Sequence, residues 1–277
     1  MSGSEKKKGR YARLFARLGE AGEGAFIPFV MLGDPNEGES EAIIETLIES
    51  GADALELGMP FSDPIADGPV IQTAANRALE AGITPDDCFR IAANIRSRHE
   101  DIPMGLLVYA NLLIGRGPES FYERASASGL DSVLVADVPT VEASAFARHA
   151  LASGIDPVFI VPPNASDDKI REIAGLTKGY AYFLGRAGVT GADREMAAPV
   201  SSRVELLKRA GSPPVVIGFG ISRPLHVRAA IESGAAGAIA GSATVAIIAE
   251  NLGDPEKTRE EVARFVRVMK SGTRRLG

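Results

Sequence analysis

A carboxylate inside an apolar segment is the first candidate for chemistry in this sequence. Glu56 lies in ALELG (54–58), which is typical of a buried strand, and burying an ionised carboxylate is costly unless it is paired or protonated. None of the predicted strands contains a Lys or Arg that could pair with it. A Glu in an apolar pocket transfers protons well near neutral pH. Glu56 is therefore a candidate acid–base residue, and a structural ion pair within the barrel is the alternative.

A second carboxylate follows at a spacing that could bring it to the same strand end. Asp67 lies 11 residues after Glu56, in DPIADGP (63–69), and a loop of that length can fold back over the mouth of the strand. Asp before Pro or Gly often stabilises a turn instead. That alternative stays open for both Asp63 and Asp67.

Glycine-rich turns follow three late segments and indicate an anion site. They are GRAGVTGAD (185–193), GFGIS (218–222) and GSATV (241–245). Backbone N–H groups at glycine turns and helix N-termini bind phosphate, and the late loops of a barrel are where phosphate is commonly held. Glycines also serve helix–strand packing, but three such turns in succession favour phosphate binding.

Other polar residues carry less information. Tyr109 and Asp137 end two apolar segments and could face a substrate or close a hydrogen-bond network. His99, His149 and His226 fall in helical patterns beside charged residues, which favours solvated helix positions. Because no Cys or His residues cluster, we predict no metal site.

The elements that must position these residues alternate regularly. Eight short apolar segments predict strands buried on both faces of a parallel sheet: 25–32, 54–60, 104–110, 132–138, 157–163, 179–185, 214–220 and 237–242. Helical patterns lie between them at 38–51, 168–176, 201–211 and 223–234, the last with Ser222 as a candidate cap and Pro224 just inside its start. This alternation predicts an α/β fold, a (β/α)8 TIM barrel. A doubly wound sheet is the rival, but LGDPNEG (32–38) lacks the dinucleotide fingerprint.

Composition excludes several classes of protein. The 277 residues are 45% hydrophobic and 24% charged, with a net charge of -6 that argues against nucleic-acid binding. No apolar run approaches the roughly 18 residues of a membrane helix, and the lone Cys88 excludes an internal disulfide. We expect a cytoplasmic protein with a disordered N-terminal extension over residues 1–10 and a single barrel domain over 11–277.

Longer motifs add a resemblance to a known family. GAFIPFVMLGDP, GADALELGMPFSDPIADGPVIQ, GLLVYAN, DSVLVADVP, FIVPPNA, GRAGVTGA and GFGIS with GAAGAIAGSA occur in this order. Together they closely resemble the tryptophan synthase alpha subunit over almost the whole chain. The resemblance implies retro-aldol cleavage of indole-3-glycerol phosphate to indole and glyceraldehyde 3-phosphate, with no cofactor or metal in this chain.

The resemblance also assigns roles to individual residues. Glu56 would protonate the indole ring carbon and take the proton of the glycerol hydroxyl, and Asp67 would stay ionised and bind the indole N–H. Tyr182 would line the site beside Glu56, and Thr190 would hold the Asp67 loop. The implied phosphate contacts are Gly191, Gly220, Gly241 and Ser242. The implied indole pocket comprises Phe29, Leu107, Leu134, Ile160 and Phe219, which composition alone would assign to the core.

A partner is implied as well. The family works with a beta subunit in an alpha2-beta2 complex, and the pyridoxal phosphate cofactor belongs to that subunit. Asp63, Pro64, Asn111 and Pro139 match positions near the interface. A stand-alone lyase, a non-catalytic activating subunit and another phosphate-sugar barrel enzyme are alternatives. The synthase of the same substrate needs a strand lysine that the predicted strands lack.

Overall fold

The computed structural model describes residues 9–185 and 200–274. Within these residues, nine parallel strands form one sheet. Their bounds are β1 Ala25–Met31, β2 Leu55–Gly58, β3 Met104–Val108, β4 Ser132–Val135, β5 Asp156–Val158, β6 Ile160–Val161, β7 Ala181–Phe183, β8 Val215–Gly218 and β9 Gly237–Ala240. Each lies inside or within one residue of a predicted apolar segment, because a strand covered on both faces must be apolar nearly throughout.

The sheet closes on itself. The strand order is β5-β4-β3-β2-β1-β9-β8-β7-β6, so β5 and β6 are its two ends. Only Phe159 separates them along the chain, and its carbonyl accepts a hydrogen bond from the Tyr182 N–H at 3.3 Å. β5 and β6 are therefore two parts of one barrel strand. The prediction of an eight-strand (β/α)8 barrel is confirmed, and the doubly wound alternative is wrong.

Helices connect the strands. Those in the described residues are α1 Arg10–Glu20, α2 Glu37–Glu49, α3 Pro69–Glu80, α4 Pro85–Arg98, α5 Ala110–Ile114, α6 Pro118–Ala127, α7 Thr140–Ala152, α8 Asp167–Leu176, α9 Val200–Arg209, α10 Pro224–Glu232, α11 Ser242–Glu250 and α12 Pro255–Lys270. None of these helices is long and apolar enough to cross a membrane.

Local capping fixes several helix starts. The side chain of Asn36 caps α2, and Thr84 forms a capping box with Asp87 at the start of α4. The prediction that Ser222 caps α10 is wrong. Pro224 occupies the first turn, so Arg223 becomes the N-cap residue and makes no side-chain cap. Ser222 lies one residue upstream, where its N–H donates to His226 Nδ1 at 3.2 Å.

The helix that precedes the first strand covers the N-terminal end of the barrel. Tyr11, Leu14 and Leu18 of α1 are buried. The Tyr11 hydroxyl lies 3.1 Å from Oγ of Ser132, the first residue of β4. The opposite end, where the strands finish, is the end where barrel enzymes carry their active sites. The division of the chain into an extension over 1–10 and a barrel domain over 11–277 stays a prediction.

Candidate active site

Glu56 lies on β2 with Phe29 and Gly105 as its neighbours on the two adjacent strands. Its side chain is 1% exposed. Burial raises the pKa of Glu56 from 4.5 to about 7, and a hydrogen bond from the Tyr180 hydroxyl to Oε2 opposes the rise. The other carboxyl oxygen, Oε1, is buried and has no hydrogen-bond partner within the described residues. A carboxyl group with a pKa near 7 can hold or release a proton near neutral pH.

The glycine at position 105 makes room for this carboxylate. A Cβ atom there would lie 3.1 Å from Glu56 Oε2, 3.0 Å from the Tyr11 hydroxyl and 2.9 Å from Ser132 Oγ. Such distances are tighter than ordinary van der Waals contact, so a larger residue would push these groups apart. Glu56 Oε2 therefore shares a buried polar pocket with three hydroxyl groups, those of Tyr180, Tyr11 and Ser132.

Asp67 lies on the loop between β2 and α3 and is half-buried. Its Oδ2 accepts a hydrogen bond of 2.9 Å from the Tyr109 hydroxyl. Its main-chain carbonyl accepts one of 2.8 Å from Gln72 Nε2, on the first turns of α3. Burial raises the pKa of Asp67, and the Tyr109 hydrogen bond opposes this. Asp67 is thereby held through both its side chain and its main chain.

An ion pair holds the helix that carries Gln72. Arg77 on α3 makes two hydrogen bonds of 2.7 Å to the buried carboxylate of Asp34, which follows β1. A bidentate pair of this kind defines geometry as well as energy. The loop bearing Asp67 therefore runs into a firmly held helix.

Tyr182 is influenced electrostatically by both carboxylates. It lies on β7 beside Ile160, and its pKa is raised by burial and then by the charges of Glu56 and Asp67. Gly218 on β8 makes room for its ring, because a Cβ at that position would collide with the Tyr182 hydroxyl. Tyr182 thus lies near enough to Glu56 and Asp67 for the charges of both to raise its pKa.

The five predicted pocket residues differ in exposure. Phe29 and Leu134 are buried, whereas Leu107 and Ile160 are half-buried although both lie on barrel strands. Phe219 is 56% exposed and has a φ of 136°, an unfavourable conformation for a bulky residue. Partial exposure of inward strand residues indicates an apolar opening at the mouth of the barrel.

Three of the predicted phosphate contacts, Gly220, Gly241 and Ser242, lie before or at the starts of α10 and α11. Gly220 has a φ of 72°, which favours glycine. Gly241 is the N-cap of α11 and supplies no side-chain cap, and Ser242 is the first helical residue. The first N–H groups of a helix lack acceptors within the helix, so this end suits an anion. Gly191 and Thr190 lie outside the described residues.

The four predicted partner residues share one face. Asp63 and Pro64 follow β2, Asn111 follows β3 and Pro139 follows β4. Three of them are exposed and Pro64 is half-buried. Apolar side chains beside them are exposed as well, including Ile65 at 83% and Val141 at 82%. This combination is common at protein–protein interfaces.

Other surface features are remote from these residues. Grooves of about 410 Å³ and about 480 Å³ lie between α11 and α12 and between α8 and α9, on the outer helical layer. Neither is lined by Glu56 or Asp67. In the part of the chain that the structure describes, no group of three or more His, Cys, Asp or Glu side chains could hold a metal ion.

Comparison with known proteins agrees with this geometry. The family model for the tryptophan synthase alpha chain matches residues 15–274. Tryptophan synthase alpha chains from Vibrio cholerae and Escherichia coli O127:H6 are 55% and 54% identical, each over 96% of this chain and 99% of the relative. The chain belongs to the tryptophan synthase alpha chain family.

Solved structures of the family share the fold. The tryptophan synthase alpha subunit of Legionella pneumophila superposes with a TM-score of 0.86 at 27% identity, covering 96% of this chain and 98% of that one. A chain of the alpha2-beta2 complex of Pyrococcus furiosus gives 0.81 at 36% identity, covering 90% and 98%. The tryptophan synthase alpha chain is the indole-3-glycerol phosphate lyase component, so the family membership makes this chain a carbon–carbon lyase of tryptophan biosynthesis.

Sequence reasoning missed several hydroxyl groups of this alpha chain. Tyr180 precedes β7 and directly contacts Glu56, but only Tyr182 was predicted. Since strand side chains alternate, residues 180 and 182 point to the same face, and this signal could have found Tyr180. Tyr11 carries no comparable signal, because its proximity to Glu56 depends on how α1 packs against the barrel. Ser132 comes near Glu56 through the register of β2, β3 and β4.

Proposed function

We propose that this chain cleaves indole-3-glycerol phosphate to indole and glyceraldehyde 3-phosphate by acid–base catalysis at Glu56. The observation that carries the proposal is a carboxyl group with a pKa of about 7, buried in an apolar strand, with one oxygen unpaired within the described residues. Such a group exists in both protonation states at neutral pH. Retro-aldol cleavage requires both states in turn.

The proton moves in a cycle. Protonated Glu56 donates its proton to the indole ring carbon that bears the glycerol chain, and the ring nitrogen becomes positively charged. The resulting Glu56 carboxylate then removes the proton of the adjacent glycerol hydroxyl. The carbon–carbon bond breaks, its electrons neutralise the ring, and indole, the aldehyde and protonated Glu56 result.

Asp67 takes the complementary role. As an ionised carboxylate it accepts a hydrogen bond from the indole N–H and stabilises the positive charge that develops there. Its half-buried loop position and the Tyr109 hydrogen bond support this assignment. Two carboxyl groups thereby serve as proton shuttle and as charge stabiliser, according to their environments.

The remaining predicted residues bind the two ends of the substrate. Tyr182, Phe29, Leu107, Leu134, Ile160 and Phe219 would enclose the indole. Gly191, Gly220, Gly241 and Ser242 would hold the phosphate, and Thr190 would secure the Asp67 loop. The apolar opening and the uncapped start of α11 support these assignments.

We further propose that a tryptophan synthase beta subunit covers the face carrying Asp63, Pro64, Asn111 and Pro139, forms an alpha2-beta2 complex and receives the indole. The exposed Ile65 and Val141 support this surface, and a related chain belongs to such a complex in Pyrococcus furiosus. Pyridoxal phosphate would reside in the beta subunit, with no cofactor in this chain. The assembly would act in the cytoplasm.

The test is release of indole from indole-3-glycerol phosphate by the purified chain, with and without a beta subunit. We expect slow cleavage that rises sharply when the partner is added. Fast cleavage that does not respond to the partner would establish a stand-alone lyase. Tight partner binding without cleavage in either condition would establish a non-catalytic activating subunit and overturn the proposed reaction.

A further inference from the structure

The hydroxyl group of Tyr109 makes two hydrogen bonds to the loop that carries Asp67. The Tyr109 oxygen accepts a hydrogen bond of 3.1 Å from the Ala66 N–H and donates one of 2.9 Å to Asp67 Oδ2. A tyrosine hydroxyl has only one proton. Since the Ala66 N–H can only donate, the tyrosine proton is directed to the carboxylate.

The tyrosine itself has little freedom. It directly follows β3, is 2% exposed, and its ring stacks on Phe61 with centroids 5.3 Å apart and planes 25° apart. Phe61 belongs to the same loop as Asp67. The ring therefore makes one apolar contact with the loop, and the hydroxyl makes two hydrogen bonds to it.

The next strand braces this arrangement. Asp137, which follows β4, accepts a hydrogen bond of 2.7 Å from the Ala110 N–H at the start of α5. Ala110 is the residue after Tyr109, so the bond fixes the backbone that carries the tyrosine. Contacts thus run from the end of β4 through the end of β3 to the loop after β2.

We propose that Tyr109 is a positioning residue for Asp67, and that Asp137 holds Tyr109 in place for this task. The inference rests on the proposed role of Asp67. The tyrosine occupies Oδ2 with a donor and fixes the carboxylate rotamer, which leaves Oδ1 for the donor on the substrate. Asp67 is thereby kept as a charged acceptor before the substrate arrives.

Removing one hydroxyl group tests the proposal. Tyr109→Phe should lower kcat about tenfold to hundredfold, the range for loss of one hydrogen bond to a charged group, and should change KM much less. Tyr122→Phe is the matched control, because Tyr122 is an equally buried tyrosine on the outer helix α6. The control should behave like the wild-type chain.

The pH profile separates positioning from a general structural effect. The Tyr109 hydrogen bond lowers the pKa of Asp67, so its loss should move the acidic limb of kcat/KM to higher pH. The titratable side chains that face Asp67 in the described residues are Tyr109 and Tyr182, and Asp137 faces Tyr109. A loss of activity with an unmoved acidic limb would contradict positioning of the charged form.

Asp137 provides a second test that leaves the tyrosine intact. Asp137→Asn keeps the Oδ1 acceptor and should retain most activity, whereas Asp137→Ala should lower kcat in the same direction as Tyr109→Phe. Equal activity of Asp137→Asn and Asp137→Ala would show that Asp137 does not hold Tyr109 in place.

Asp67→Asn in the same assay separates this inference from the proposed function. Collapse of Asp67→Asn together with wild-type behaviour of Tyr109→Phe would overturn only the positioning role. Near-normal activity of Asp67→Asn would overturn the proposed function.

Discussion

The two candidate carboxylates occupy contrasting parts of the molecule. Glu56 is fixed in a barrel strand and almost fully buried, whereas Asp67 lies half-buried on a connecting loop. Burial raises the pKa of both, but it brings that of Glu56 to about 7. In the proposed function, the strand supplies the group that exchanges protons, and the loop supplies the group that carries charge. These two proposed roles follow from placement in the fold more than from residue type.

The hydrogen bonds of Glu56 and Asp67 also come from different parts of the barrel. Tyr180 donates to Glu56 from the barrel interior, and Tyr109 donates to Asp67 from a strand end. Each tyrosine opposes the effect of burial on the pKa of its carboxyl group. The buried carboxylate keeps an unpaired oxygen in the described structure, while the loop carboxylate is held by the Tyr109 hydroxyl and its main chain by Gln72. Substituting Glu56 and Asp67 separately therefore tests whether the two carboxyl groups have different roles.

The largest effect is expected from removing the proton shuttle. Glu56→Gln keeps the shape of the side chain but cannot accept and return a proton, so indole release should fall by at least about 10³-fold, within the usual range for acid–base catalysis. Circular dichroism should show an unchanged fold. Turnover near that of the wild type would reject the acid–base assignment.

Asp67→Asn should produce the next largest loss. An amide cannot stabilise the positive indole ring as a carboxylate does, and we expect kcat to fall about 10²- to 10³-fold. Steady-state assays of indole release measure this. A loss below about tenfold, equivalent to roughly 1.4 kcal/mol, would reduce Asp67 to a residue that stabilises the turn.

Burial of Glu56 should also make stability depend on pH. Its pKa in the folded state, about 7, lies above the ordinary 4.5, so its favourable contribution is complete below pH 4.5 and lost as pH rises to 7. Relative to Glu56→Gln, the free energy of unfolding of the wild type should fall by roughly 3 kcal/mol across this window. Urea denaturation at several pH values gives the difference, and a constant difference would contradict the raised pKa.

The smallest effect is expected at Tyr180. Its hydrogen bond lowers the pKa of Glu56, so Tyr180→Phe should shift the Glu56 titration to higher pH and change kcat at neutral pH by less than about tenfold. The pH dependence of indole release measures both quantities. A shift to lower pH would mean that the tyrosine does not stabilise the charged form.

Much of the fold could be predicted because parallel strands are apolar on both faces. All eight predicted segments contain barrel strands. The interruption at Phe159 could not be predicted, since that residue is as apolar as its neighbours in PVFIVPP (157–163). The prediction that Ser222 caps α10 was wrong because Pro224 occupies the first turn, so that Arg223 is the N-cap residue instead.

Part of the candidate site was predictable because one residue type is unusual for its place in the sequence. Glu56 is detectable because a carboxylate is rare in an apolar strand. For Tyr109, a hydrogen-bond network was one of two alternatives, but Asp67 could not be predicted as its partner because only the folded loop brings the two within 2.9 Å. The space that Gly105 leaves for Glu56 depends on three neighbouring strands and on α1, so no local pattern could reveal it.

The most direct test of the contrast is the titration of Glu56 itself. Glutamate labelled with ¹³C at the side-chain carboxyl, compared in the wild type and Glu56→Gln, identifies its NMR signal by difference. We predict a titration midpoint near 7. A midpoint near 4.5, the value of an ordinary glutamate, would contradict the assignment of Glu56 as the proton shuttle.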